Sequence, residues 1–159
     1  MAGFRRSHGS VRLRPLSRKT IKPVSLIGFL ESSLPGISYR YRHPYSPPLG
    51  QYEYSDSKRI FVSFLTNRKP FSADLDQVSA ADFYIGVRCG LLHEARTKNG
   101  WTVWAKSYQS RTTSWKDKIV YRDDFQHALL AFITWYEEAL RSDPALQAAF
   151  IRKFDSFCE

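Results

Sequence analysis

At 159 residues, with 43% hydrophobic and 15% aromatic content, the chain is sized for one folded domain with a proper core and is not of disordered composition. Its two cysteines exclude a disulfide framework, no Cys/His spacing matches a metal site, and no apolar run approaches the ~18 residues of a membrane span. The net charge of +9 is concentrated in residues 1–50, where nine Lys/Arg face the single acid Glu31, a balance of +8.

Arg5, Arg6, Arg12, Arg14, Arg18, Lys19 and Lys22 all precede the first acidic residue. Residues 1–22 therefore read as a flexible basic arm, and residues 23–159 as the domain. Such an arm favours nucleic acid by releasing condensed counterions. A solvated tail is the plainer alternative. A transit peptide is a third, since the arm is rich in Arg and Ser and lacks acids. With no secretory cleavage pattern after the apolar run, a reducing cytoplasm is the simplest compartment.

Residues 24–34 read as a short helix stopped by Pro35-Gly36. The stretch from Tyr39 to Pro48, with three tyrosines and three prolines, reads as an extended loop. Its tyrosines, interleaved with Arg40 and Arg42, either stack on bases and pair with phosphates or pack onto the bundle. In residues 58–66, Ile60, Phe61, Phe64 and Leu65 recur at helical spacing behind Ser55 and Asp56 as caps, with a strand as the alternative that the β-branched content leaves open. Residues 67–76 read as a polar connector.

Residues 79–100, SAADFYIGVRCGLLHEARTKNG, organise the rest. Ser79 reads as the N-cap, Asp82 suits the positive end of the helix dipole, Arg96 and Lys98 suit the negative end, and Asn99-Gly100 reads as the stop. At about 100° per residue, Ala80, Phe83, Tyr84, Val87, Leu91, Leu92 and Ala95 share an apolar face. Arg88 falls in the middle of that face, where a charge is costly unless paired or meeting another polar surface. His93 follows five residues later, about 140° round an ideal helix.

The Arg88-(four residues)-His93 spacing resembles the R-x4-6-H motif of the HEPN superfamily. The resemblance runs from about Phe61 to Leu140 and takes in the helix before the motif, the TKNGW turn and a closing amphipathic helix. It implies a mostly α fold, a HEPN-like helical bundle. It implies a metal-independent endoribonuclease without a cofactor, acting as a homodimer whose two motifs share one cleft. Partners implied are RNA and an antitoxin or other defence protein, and not a membrane. At the position after the arginine, where active members often carry Asn, Asp or His, this chain has Cys89. That departure leans towards the alternative, a non-catalytic HEPN-like module binding RNA or protein.

The chemistry itself assigns roles. Attack by an RNA 2′-hydroxyl on the neighbouring phosphate needs a group that moves protons near neutral pH, which His93 supplies. It also needs a fixed cation on the phosphoryl transition state, which Arg88 supplies with paired donors. Arg40, Arg42 and Lys98 are candidate substrate contacts. Glu94 and Cys89 are candidate orienting groups, Glu94 also being a candidate surface residue or partner of Arg88. His127 reads as surface, and His8 and His43 as loop residues.

Trp101-Thr-Val-Trp-Ala-Lys alternates like a strand, and Ile119-Val120-Tyr121 is expected to pair back with it as a small appended hairpin. Asp123 or Asp124 is expected to cap a strong helix with Phe125, Ala128, Leu129, Phe132, Tyr136 and Ala139 on its core stripe. Ser142-Asp143-Pro144 reads as a cap followed by proline at the first position of the last helix, whose buried face is expected to be Leu146, Phe150, Phe154 and Phe157.

Overall fold

The fold is built around a chain of touching aromatic rings. In the computed structural model, which describes residues 22–156 and Cys158, Phe64 lies against Phe132 at 4.9 Å and Phe71 at 5.4 Å. Phe71 meets Phe125 at 5.0 Å, Phe125 stacks on Phe83 at 5.6 Å, and Phe83 meets Trp101 edge-on at 5.2 Å. Helices from distant parts of the sequence supply these rings, so burying them draws the helices into a bundle. The arm cations Arg5, Arg6, Arg12, Arg14, Arg18 and Lys19, together with His8 and Phe157, lie outside the described residues.

The architecture is mostly helical. Helix α1 (Lys22–Ser33) leads into β1 (Ser38–Tyr39), which pairs in parallel with β2 (Glu53–Tyr54). Helices α2 (Ser57–Asn67), α3 (Phe71–Asp74) and α4 (Gln77–Phe83) follow. A π-helical segment, Tyr84–Cys89, continues α4 and passes into α5 (Gly90–Glu94). Strands β3 (Thr102–Trp104), β4 (Thr113–Ser114) and β5 (Ile119–Tyr121) form a sheet, and α6 (Arg122–Ser142) and α7 (Pro144–Asp155) close the chain. Among the described residues no helix is long and apolar enough to cross a membrane.

Local chemistry accounts for most boundaries. Asp56 caps α2 by accepting the Arg59 N–H at 2.9 Å. Asp143 caps α7 through the Ala145 and Leu146 N–H groups, with Pro144 at the first helical position. Helix α1 is followed by a turn at Gly36, which adopts φ +66° and lies so close to the Ala149 backbone that a Cβ would collide with it. The buried carboxylate of Glu31 on α1 takes two bonds from Arg68, at 2.9 and 3.2 Å, and one from Ser63, at 2.8 Å, tying α1 to α2.

Several sequence expectations are corrected. Residues 67–76 contain α3, whose Phe71 is fully buried, and the central helix starts at Gln77 under an Asp76–Ser79 capping box, so Ser79 is its third residue and not its cap. That helix stops at Glu94, with Ala95 in the left-handed region; Asn99 and Gly100 shape the following turn instead. Asp123 and Asp124 do not cap α6, whose N-cap is Tyr121; Asp124 accepts the Ser107 N–H at 2.6 Å and Asp123 pairs with Arg122 at 2.7 Å. The buried face of α7 is Ala149 and Lys153, with Leu146 and Phe150 half-buried and Phe154 exposed. The expected pairing of Thr102–Trp104 with Ile119–Tyr121 is present, but the strands run parallel, so it is no simple hairpin. Residues 105–118 are long enough for that crossover, and they supply β4, the antiparallel partner of β5. Asp74 pins the crossover by accepting bonds from Arg111, the Thr112 hydroxyl and two backbone N–H groups.

The turn after the central helix is anchored twice. Asp82 accepts the Trp101 indole N–H at 2.8 Å and the Lys118 ammonium at 3.2 Å. Lys98 N–H bonds the Gly86 carbonyl at 2.7 Å, and Trp101 lies so close over Gly86 that a Cβ there would collide with its ring. Gly86→Ala is therefore expected to destabilise by about 2 kcal/mol, read as a Tm several degrees lower. Gly28→Ala is the contrast: on α1 an added Cβ meets nothing within 4 Å, so the better helix former should raise the Tm by a few degrees.

Asp82 also predicts a pH effect. Burial alone would raise its carboxyl, but the Trp101 and Lys118 donors outweigh burial and hold it below the ordinary 3.8. A depressed folded-state value contributes stability that is present above the unfolded value and lost as pH falls through the folded one. Asp82→Asn should lower the Tm at neutral pH and flatten the loss of stability below about pH 4, as measured by thermal melts across that range.

Candidate anion-binding cleft

The π-helical segment decides where the motif arginine points. In a continuous α-helix the Gly90 N–H would bond the Gly86 carbonyl. Here Gly90 N–H turns to Val87, and the freed Gly86 carbonyl receives Lys98. The wider turn shifts the later side chains round the axis, and the ideal wheel fails towards the end of the helix. Ala80, Phe83 and Val87 are buried as expected and Tyr84 and Leu91 half-buried, but Leu92 and Ala95 are exposed.

Arg88 is half-buried at one side of a cleft of about 390 Å³. Gly28 and Phe29 of α1, Tyr39 of β1, Tyr54 of β2, Ser57 and Phe61 of α2, and Tyr84 complete the lining. The Arg88 guanidinium lies 5.2 Å from the centre of the Tyr84 ring and donates to the Tyr84 hydroxyl at 3.5 Å and more weakly towards Cys89 Sγ at 3.9 Å. The Tyr84 hydroxyl in turn bonds Ser57 Oγ at 3.1 Å. Among the described residues Arg88 has no carboxylate partner. Arg88 lines an aromatic cleft to which no Asp or Glu contributes, an arrangement suited to an anion.

His93 lies on α5, exposed, with no hydrogen bond among the described residues, and it does not line the Arg88 cleft. The chain thus carries both motif residues but does not gather them into one pocket. Glu94 orients neither of them: it pairs with Arg96 at 3.2 Å and with Lys98, whose donors hold its carboxyl below the ordinary carboxylate value. Cys89 is half-buried beside Arg88. Arg40 is paired with Glu53 at 2.6 Å, and Arg42 donates to the Ser46 carbonyl at 3.1 Å. Neither lines the cleft. Of the three tyrosines of that stretch, Tyr39 packs against Tyr54, whereas Tyr41 and Tyr45 are 69% and 98% exposed and do not pack onto the bundle. His43 is exposed against Tyr41, and His127 is exposed on α6. Among the described residues no group of three His, Cys, Asp or Glu side chains is placed to hold a metal.

Sequence reasoning missed Phe29, Tyr54 and Ser57 as neighbours of Arg88. Tyr84 was legible, since four residues before Arg88 it falls on the same helical face. The others come from α1, β2 and α2, and no local spacing announces them.

A half-buried arginine without a carboxylate contributes little to folding. Arg88→Met should therefore shift stability by no more than about 1 kcal/mol, the scale of the lost ring contact. A thermal melt several degrees below the wild type would make Arg88 a structural residue instead.

The chain matches no family model, no curated protein and no solved structure, and its function is read from this cleft and the motif beside it.

Proposed function

We propose that the chain is a metal-independent endoribonuclease of HEPN type, acting as a dimer in which Arg88 binds the scissile phosphate and His93 moves protons. The observation that carries this reading is that both motif residues are left free of folding duties. Arg88 faces a cleft without a carboxylate partner, and His93 stands in solvent without a hydrogen bond, among the described residues. A side chain that the fold does not use is available for chemistry.

The dimer follows from the separation of the two groups. His93 does not reach the Arg88 cleft of its own protomer, so a second copy is the natural source of the missing group. Val78, Ile85 and Leu92, seven residues apart along the same stretch, are 71%, 45% and 48% exposed. This apolar surface beside the motif supports association there. In the reaction the RNA 2′-oxygen loses its proton to His93 and attacks phosphorus, and the imidazolium so formed supplies the proton that the leaving 5′-oxygen takes. The guanidinium of Arg88 holds the charge that builds on the phosphoryl oxygens, and the 5′-oxygen of the next nucleotide leaves with a proton. The product end is a 2′,3′-cyclic phosphate.

One observation favours a second reading, an RNA-binding module without catalysis: the cleft is complete in a single protomer and His93 is no part of it.

The test is cleavage of single-stranded RNA by the purified chain in the presence of a chelator. Cyclic-phosphate ends should appear, His93→Ala should slow cutting by about a hundredfold or more, and Arg88→Lys should lose most activity because lysine keeps the charge but not the fork. Wild-type protein that cuts no RNA, or a His93→Ala variant that cuts as fast as wild type, transfers the assignment to the binding module.

A further inference from the structure

We infer that the Arg88 cleft is a nucleotide subsite for single-stranded RNA, in which tyrosine and phenylalanine walls hold a base beside the phosphate that Arg88 binds. This deepens the RNA reading above and rests on it. The lining divides by chemistry into two parts. Arg88, the Tyr84 hydroxyl and Ser57 Oγ form a short bonded row of polar groups, Arg88 to Tyr84 at 3.5 Å and Tyr84 to Ser57 at 3.1 Å. Phe29, Tyr39, Tyr54 and Phe61 supply rings. A ligand that matches both parts is flat and apolar over one region and anionic at its edge.

The geometry fits a nucleotide of a strand. A volume of about 390 Å³ lies in the range of small-ligand pockets. Tyr39 packs edge-on against Tyr54, with ring centres 5.7 Å apart at 70°, and remains 51% exposed, so ring surface stays open to a base. The Lys153 ammonium lies 5.8 Å from the Tyr54 ring and 6.0 Å from the Phe29 ring, adding positive potential to a cleft lined by no Asp or Glu. Bases in a duplex are already stacked on one another, whereas a single strand can offer one to an aromatic wall. From Tyr39 the chain runs through Arg40, which is paired with Glu53, into the exposed loop that carries Tyr41 and Arg42.

The experiment uses the full chain, a short 2′-O-methyl single strand that cannot be cut, and the same phosphodiester strand without bases, with affinities measured at one salt concentration. Tyr39→Ala should weaken the base-bearing strand about tenfold, the scale of one lost stacking contact, and Tyr39→Trp should restore it. Removing the bases should weaken wild-type binding to a similar degree and abolish the effect of Tyr39→Ala. Gly28→Leu is a second variant: Gly28 lines the cleft and an added Cβ meets nothing within 4 Å, so its side chain should obstruct the base without disturbing the fold. If the strand without bases binds as tightly as the intact one and neither variant changes affinity, the base subsite is overturned. A continued loss with Arg88→Met would then leave phosphate binding in place. If wild type binds neither strand, this inference and the RNA reading fall together.

Discussion

The feature on which the site depends is the close seating of Trp101 over Gly86. The contact leaves no room for a Cβ, and it is held from both sides. Asp82 accepts the indole N–H, and the Gly86 carbonyl accepts Lys98. The Gly86 carbonyl takes Lys98, the Gly90 N–H bonds the Val87 carbonyl instead, and the helix runs as a π turn over Tyr84–Cys89. The π turn sets the direction of every side chain from Tyr84 to Cys89, Arg88 among them. The aromatic thus packs two residues before the arginine, against the turn that carries it.

The same contact links the site to the sheet. Asp82 also holds Lys118, which leads directly into β5, and β5 carries both β3 and β4. Asp74 holds the far end of the same crossover through Thr112 and Thr113. Two carboxylates on neighbouring helices thus fix a sheet whose strands are only two or three residues long. Such short strands have little stability of their own, and here their register is set by ion pairs and indole packing against the helices.

The cleft itself is built from surfaces that meet late in the chain's organisation. Helix α1 is brought to α2 by the buried Glu31–Arg68 pair. The β1–β2 pair is seated by Lys153, which burial holds below the ordinary lysine value and whose ammonium donates to the Ile37 carbonyl at 2.7 Å. These unrelated contacts place Phe29, Tyr39, Tyr54 and Ser57 round one guanidinium. Folding then leaves a cation in an aromatic recess without a carboxylate partner among the described residues, a placement that costs stability unless a ligand completes it.

The sequence by itself determined the helices with strong local signals. The Asp56 and Asp143 caps, Pro144 at the first helical position, and the stripe from Phe125 to Tyr136 are short-range patterns that the structure reproduces. It also marked Arg88 as a charge out of place, because an arginine among Phe83, Tyr84 and Val87 conflicts with the apolar period around it. Only the tertiary structure decided the rest. The parallel pairing of β3 with β5 depends on Asp74 and Asp82, which lie far off in the chain, and an alternating strand pattern carries no direction. The start of the central helix moved to Gln77 because Asp76 and Ser79 cap each other, a reciprocal bond that outweighs a lone serine. The π turn at Tyr84–Cys89 and the neighbours of Arg88 on α1, β2 and α2 involve residues beyond the helix. A wheel drawn on a uniform helix has no means of including those residues.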